Sequence, residues 1–273
     1  MAKRSVFFIS DRTGITVQAM GHSLLTQFPG EEFDWFAFPF VDTVEKMRHI
    51  VELIRAAKAK EGAPPVVFST LVDVPLYRLL KESEVKIYDF FATFIPSLEQ
   101  DFGVDSTHAA GQTHGIHDEA SYDQRVAAVN FALAHDDGIG VESMERAEVI
   151  LLGVSRSGKT PTTLYLAMQF AIFTANYPLT DEHFPHPCLP NELQKYRHKL
   201  FGLSIESERL HHIRSERRPN SHYASLTKCR QETQWAERLF RQEKIPYLNT
   251  TTRSIEEIAV AVINRLGLRR LPF

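Results

Sequence analysis

Short apolar runs alternate with stretches of helical periodicity along most of this chain. Residues 5–10, 34–41, 66–70 and 85–88 are apolar, β-branched or aromatic and bounded by turn residues, which predicts strands. Between the first two, Val17, Met20, Leu24 and Phe28 recur near helical spacing, as Val44, Met47, Val51 and Ile54 do between the next two. Asp42-Thr43-Val44-Glu45 resembles a capping-box start, and Gly62-Ala63-Pro64-Pro65 reads as a turn. Strand, helix, strand, helix is the signature of a parallel sheet covered by helices, here a Rossmann-like half.

The pattern breaks over residues 101–120, where Gly103, Gly111 and Gly115 accompany His108, His114 and His117. A segment this long without periodicity is functional or a linker. A metal site from these histidines lacks a supporting carboxylate. Residues 122–134 read as a helix with Tyr122, Val126, Val129 and Leu133 on its apolar side, ending at His135-Asp136-Asp137-Gly138. Strands follow at 147–152, 172–177 (closed by Pro178, with a continuing helix as the alternative), 199–204 and 245–249. Helices are expected at 161–169, 206–218 and 225–242, and Ser254-Ile255-Glu256-Glu257 is a capping box opening a last helix. The Gly138 and Gly140 connection places a domain join near residue 140. The expected class is α/β: a Rossmann-like parallel-sheet domain over 1–140 and a P-loop kinase-like α/β domain over 141–273.

Composition changes this picture little. With 273 residues, 43% hydrophobic and a net charge of −3, the chain has the profile of a globular protein without the basic field of a nucleic-acid binder. No apolar run approaches membrane-spanning length, and Met1-Ala2-Lys3-Arg4 runs into a strand without a signal-peptide core. Two cysteines, Cys188 and Cys229, make neither a disulfide framework nor a metal pair, so a cytoplasmic setting is expected.

The chemistry concentrates around Gly153-Val154-Ser155-Arg156-Ser157-Gly158-Lys159-Thr160, which reads G-x-x-x-x-G-K-T between a predicted strand and a predicted helix. Glycines let backbone N–H groups crowd a phosphate, and the helix N-terminus adds partial positive charge. Lys159 would reach the outer phosphate and Thr160 would hold Mg²⁺. The plainer reading is a glycine-rich turn that binds nothing. Asp136 and Asp137, adjacent acids at a helix C-terminus, oppose the macrodipole and call for a cation, Mg²⁺ or a proton; the plainer reading is a solvated loop. The 206–218 helix carries Arg209, Arg214, Arg217 and Arg218, of which Arg214, Arg217 and Arg218 suit an arginine lid. An ordinary surface helix, with Glu206, Glu208 and Glu216 as ion partners, remains the alternative. Ser10-Asp11-Arg12-Thr13-Gly14, at the first strand-to-helix turn, is either a second anion cradle or a simple helix cap.

Ser10-Asp11-x-Thr13-Gly14, His135-Asp136-Asp137-Gly138, the 153–161 segment, Ala175-Asn176-Tyr177-Pro178-Leu179 and Ser254-Ile255-Glu256-Glu257 occur in that order. With these motifs, spread over essentially its whole length, the chain resembles the phosphoenolpyruvate synthetase regulatory proteins, whose relatives regulate pyruvate, phosphate dikinase. Residues 160–178 and 199–203 look like the synthetase-regulating branch. Arg12 stands where that family is expected to carry a small residue.

The resemblance implies a bifunctional regulator. It would phosphorylate a threonine of phosphoenolpyruvate synthetase (pyruvate, water dikinase) with ADP as donor, releasing AMP. It would remove that phosphate with inorganic phosphate as acceptor, releasing pyrophosphate. The target threonine lies beside the catalytic phosphohistidine. On this reading Gly153 to Thr160 hold the α- and β-phosphates with Lys159, and Thr160 holds Mg²⁺. Asp137 or Asp136 takes the threonine proton or binds Mg²⁺ through water, with His135 a weaker base. Arg214, Arg217 and Arg218 stabilise the transferring group. A homodimer is compatible with the reading. Two competing expectations are an ATP-dependent small-molecule kinase and a nucleotide-sensing module without catalysis.

Overall fold

The computed structural model describes residues 3–60, 64–109, 119–181 and 188–268. The contacts within it gather into two units, Met1–Gly115 and Ile116–Phe273. Each is built on a four-stranded parallel sheet, so the α/β class stands.

In the first unit, β1 (Arg4–Ser10) pairs with β2 (Phe33–Phe38) on one side and with β3 (Val66–Thr70) on the other, and β3 pairs with β4 (Ile87–Asp89). The spatial order is β2-β1-β3-β4. Helices α1 (Ile15–Leu25), α2 (Val44–Lys60), α3 (Val74–Lys81) and α4 (Phe90–Phe102) complete the unit. As predicted, α2 buries Met47, Val51 and Ile54. Helix α1 behaves differently: only Val17 and Gly21 are buried, while Met20, Leu24 and Phe28 are exposed. A Cβ at Gly21 would lie 2.4 Å from the Phe8 ring and 2.9 Å from that of Phe68, so the missing side chain is what lets the helix sit on the sheet.

The second unit repeats this order as β6-β5-β7-β8. Its strands are β5 (Val149–Val154), β6 (Thr174–Leu179), β7 (Leu200–Ser204) and β8 (Tyr247–Asn249). Its helices are α5 (Glu119–Ala134), α6 (Lys159–Phe170), α7 (Ser207–Arg217), α8 (Leu226–Gln242) and α9 (Ile255–Leu266). Every residue of β5 is buried, as a central parallel strand covered on both faces requires. Ile150, Leu152 and Val154 pack into a cluster with Trp235, Leu239 and Phe240 of α8; Val149 and Leu151 pack with Leu166 of α6 and Ile258 and Val262 of α9. The predicted capping box of α9 is present, with Ser254 and Glu257 bonding each other's backbone N–H.

Three further expectations change. Pro178 lies inside β6 instead of closing it, because β6 is an edge strand where a missing ladder donor is tolerated. In α5 the buried residues are Ala128, Phe131 and Ala132, while Tyr122, Val126 and Leu133 are exposed. Ala128 and Ala132 pack on Ala167 of α6, so small side chains that permit close helix approach outweigh the larger apolar stripe. That packing also draws α5 into the second unit, which puts the join ahead of this helix, between residues 115 and 116, and not near 140.

Candidate functional site

The site is built from three connections in the second unit: the β5–α6 loop, the turn after α5, and strand β6 beside them. The G-x-x-x-x-G-K-T segment does run from a buried strand into a helix. Gly158 caps α6 at φ 92 with no side-chain cap, leaving the first helical amides without a side-chain partner at that end. A Cβ at Gly153 would lie 2.5 Å from Ser157 Oγ and 2.6 Å from the Leu203 carbonyl oxygen. Glycine there lets the loop fold back over the strand. Arg156 takes a left-handed φ of 75 and is exposed at the loop's outer side. Ser157 is buried, and its Oγ has no hydrogen-bond partner among the described residues. A buried hydroxyl of that kind is costly unless a ligand or water completes it.

Lys159 is only 5% exposed, and its Nζ donates to the Val154 carbonyl at 3.2 Å. Burial lowers its pKa from the usual 10.5 to about 8, against the opposing fields of Asp137 and then Asp136; Arg214 adds to the lowering. A buried ammonium in the field of two carboxylates is a perturbed group of the kind that functional sites concentrate.

The acids are fixed by Asn176 on β6. Its N–H donates to the His135 carbonyl at 3.1 Å, and its carbonyl accepts from Gly138 N–H at 3.0 Å. Its side-chain Oδ1 accepts from Asp137 N–H at 3.0 Å, and its Nδ2 donates to Asp136 Oδ1. This clamp holds Asp137 at a left-handed φ of 50, an unfavourable conformation for a residue with a Cβ. Asp136 Oδ1 also accepts from Thr160 Oγ1 at 2.9 Å, which ties the acid turn to the first turn of α6.

The geometry bears on two further sequence expectations. His135 is buried and stacked on Phe131; its Nδ1 meets the Phe131 carbonyl at 2.8 Å and its Nε2 meets Ser143 Oγ at 2.8 Å. Both ring nitrogens are engaged by protein groups, and in this geometry His135 shapes the turn. Arg214 is not a lid residue. It is fully buried, with Nη2 donating to Glu232 Oε2 at 2.6 Å and to the Ser155 carbonyl at 3.0 Å, and Nη1 to the Tyr223 carbonyl at 3.1 Å. Its guanidinium lies 4.2 Å from the Tyr223 ring, and Tyr223 Oη is 2.8 Å from Ser155 Oγ. Burial of a cation on an acidic partner turns it inward, and Arg214 anchors the loop from below. Arg217 and Arg218 are exposed at the end of α7.

Sequence reasoning missed Asn176, Tyr223, Glu232 and Thr250, whose Oγ1 donates to the Ser157 carbonyl at 3.2 Å. Asn176 carried one legible signal: a fully polar side chain inside an apolar strand run. The others had none, since they are brought to the loop from distant positions. Among the three histidines weighed for a metal, His114 and His117 lie outside the described residues, and His108 is 3.9 Å from Glu99. No described helix is long and apolar enough to cross a membrane.

The profile of a family described as kinase/pyrophosphorylase matches residues 6–263. A protein of Halorhodospira halophila, provisionally named a phosphoenolpyruvate synthase regulatory protein, is 53% identical over 268 residues, covering 98% of each chain. Proteins with the same provisional name from Alkalilimnicola ehrlichii and Bordetella pertussis are 52% and 49% identical, again over 98% of each chain.

Proposed function

The chain belongs to the kinase/pyrophosphorylase family, and from that premise we propose that it regulates phosphoenolpyruvate synthetase by reversible phosphorylation of a threonine. In the inactivating direction, ADP is the donor. The threonine oxygen attacks the β-phosphorus, the bond from that phosphorus to the bridging oxygen breaks, and AMP leaves carrying that oxygen. In the activating direction, a phosphate oxygen attacks the phosphothreonine phosphorus, releasing pyrophosphate and the free hydroxyl.

The observation that carries this reading is the link between Thr160 and Asp136, which sets both acids beside the buried Lys159. Phosphoryl transfer needs positioning and charge neutralisation more than covalent chemistry. The amides at the start of α6 and Lys159 receive the phosphates; Arg156, exposed on the same loop, adds a second cation. The hydroxyl of Thr160 and the carboxylate of Asp136 are the oxygen donors that suit Mg²⁺, which would neutralise charge on the transferring group. Asp137, held in place by Asn176 through its backbone, accepts the threonine proton on attack and returns it in the reverse direction. With Arg214 engaged by Glu232, the loop's cationic work falls to Lys159 and Arg156.

The test is a donor and variant assay on the whole protein with purified phosphoenolpyruvate synthetase. ADP should give threonine phosphorylation with AMP released, and phosphate should reverse it with pyrophosphate released. Asp137→Ala should abolish transfer while still binding ADP. Turnover with ATP and a small acceptor, with none on the synthetase, would overturn the proposal; wild-type turnover by Asp137→Ala would remove Asp137 from it.

A further inference from the structure

A residue with a Cβ avoids positive φ, yet Arg156 stands at φ 75 in the middle of the glycine-rich loop. Glycine takes that conformation freely, as Gly158 does at φ 92. Left-handed residues in such a loop turn successive backbone N–H groups to one side, which is the concavity that holds a phosphate. A strained residue keeps its conformation only where the surroundings over-determine it. The side chain of Arg156 is exposed, so its own packing does not hold it; its two neighbours are held instead.

Ser155, the neighbour before, is gripped from the connection between α7 and α8. Its carbonyl accepts from Arg214 Nη2 at 3.0 Å, and its Oγ lies 2.8 Å from Tyr223 Oη. Tyr223 is itself fixed. It sits on a short turn, His222–Ala224, capped by Ser221, whose Oγ accepts from Ala224 N–H at 3.3 Å. The Tyr223 carbonyl accepts from Arg214 Nη1 at 3.1 Å, and its ring lies 4.2 Å from that guanidinium. A ring backed by a fully buried cation has little freedom, so its hydroxyl is a fixed point for the Ser155 side chain.

Ser157, the neighbour after, is gripped from the end of β8. Thr250 is 9% exposed. Its N–H donates to the Ser204 carbonyl at 2.8 Å, and its Oγ1 lies 3.1 Å from the same carbonyl and 3.2 Å from that of Ser157. The Ser204 carbonyl already takes the amide proton, which frees the single hydroxyl proton for Ser157. Ser157 N–H donates to the Val154 carbonyl at 3.2 Å, so this residue is held at both ends of its backbone. Ser204 ends β7 and Thr250 follows β8, so this grip reaches the loop from the sheet itself.

We propose that Tyr223 and Thr250 are positioning residues for the phosphate loop: with Arg214 they fix Ser155 and Ser157, and so hold Arg156 in the left-handed conformation that a bound phosphate needs. Their role rests on the ADP binding proposed for this loop and is exerted through its backbone, not on the reacting atoms.

The test compares Arg156→Ala with Arg156→Gly in the whole protein, since both lack the guanidinium and only glycine takes φ 75 without strain. Tyr223→Phe and Thr250→Val cut the two grips while keeping the ring and the branched shape. In the Arg156→Ala background either one should weaken ADP binding about fivefold by calorimetry, the worth of one hydrogen bond. In the Arg156→Gly background the same substitutions should change the affinity by no more than about twofold. Thr250→Ser, which keeps the hydroxyl, should bind ADP as its parent does. Thermal melts without ligand read the strain on its own: Arg156→Gly should melt above Arg156→Ala, and the gap should shrink once both grips are cut, because the loop then relaxes. Equal losses of affinity in the two backgrounds, or a melting gap that both cuts leave unchanged, overturns the proposal. Undiminished ADP binding by Tyr223→Phe or Thr250→Val in the Arg156→Ala background removes that residue from it. A wild type that binds no ADP overturns the ADP reading instead, and the melts still judge the grips.

Discussion

Arg214→Met tests whether a buried ion pair, and not a surface cation, shapes the phosphate loop. Arg214 has no exposed side-chain surface, and its partner Glu232 is 8% exposed at 2.6 Å. Removing one member of such a pair leaves a buried charge and costs about 3–5 kcal/mol. Lys228 Nζ, 3.7 Å from the other Glu232 oxygen, remains as partial compensation, so the lower end of about 3 kcal/mol applies. For a unit of this size that lowers its melting temperature by roughly 6–12 °C. Pairing Arg214→Met with Glu232→Leu removes both charges and should recover most of the loss, because apolar replacement of a whole pair is often neutral. Binding should not recover with it. Both variants lack the bond from Arg214 to the Ser155 carbonyl, and ADP should bind about 5–30-fold more weakly than to the wild type. Thermal melts and calorimetry with ADP read the two effects separately. A stable double variant that binds ADP as tightly as the wild type would refute the positioning role; a single variant that melts with the wild type would refute the ion-pair account.

Other outcomes follow from the same geometry. Lys159 has its pKa lowered to about 8 from 10.5, so the unfolded chain holds this proton more tightly; stability contributed by this group should rise with pH between those values, while ADP affinity falls as pH climbs through about 8 and the ammonium is lost. Calorimetry from pH 7 to about 9.5 checks this, and a flat affinity profile counts against a charge role for Lys159. Gly153→Ala forces a Cβ to 2.6 Å from the Leu203 carbonyl, so the loop must shift; a loss of about 1–3 kcal/mol in denaturant melts and weaker ADP binding are expected. Asn176→Asp faces Asp136 with a second carboxylate in place of an amide donor; threonine phosphorylation should collapse while the fold, read by circular dichroism, persists.

The strand runs and their turn chemistry made the two parallel sheets legible, because buried strands must be apolar on both faces and few other patterns read that way. The G-x-x-x-x-G-K-T spacing was equally plain, since only glycine fits against Leu203 and only an uncapped helix start presents its amides at that point. Periodicity failed where packing depends on what is absent. Helix α1 seats on Gly21 and α5 on Ala128 and Ala132, and a search for large apolar residues looks past them. The fate of individual charges was also invisible. Arg214, Arg217 and Arg218 are alike in sequence, yet only Arg214 points into the core, because α8 places Glu232 opposite it. Asp136 and Asp137 read as a pair interchangeable between proton acceptor and Mg²⁺ holder; Asn176, from strand β6, orients one toward Thr160 and holds the backbone of the other. Sequence by itself determined which segments form the sheets and that the G-x-x-x-x-G-K-T loop joins a buried strand to a helix. The tertiary structure decided which charges are buried on partners and which stay exposed, because burial and hydrogen-bond partners come from parts of the chain far apart in sequence.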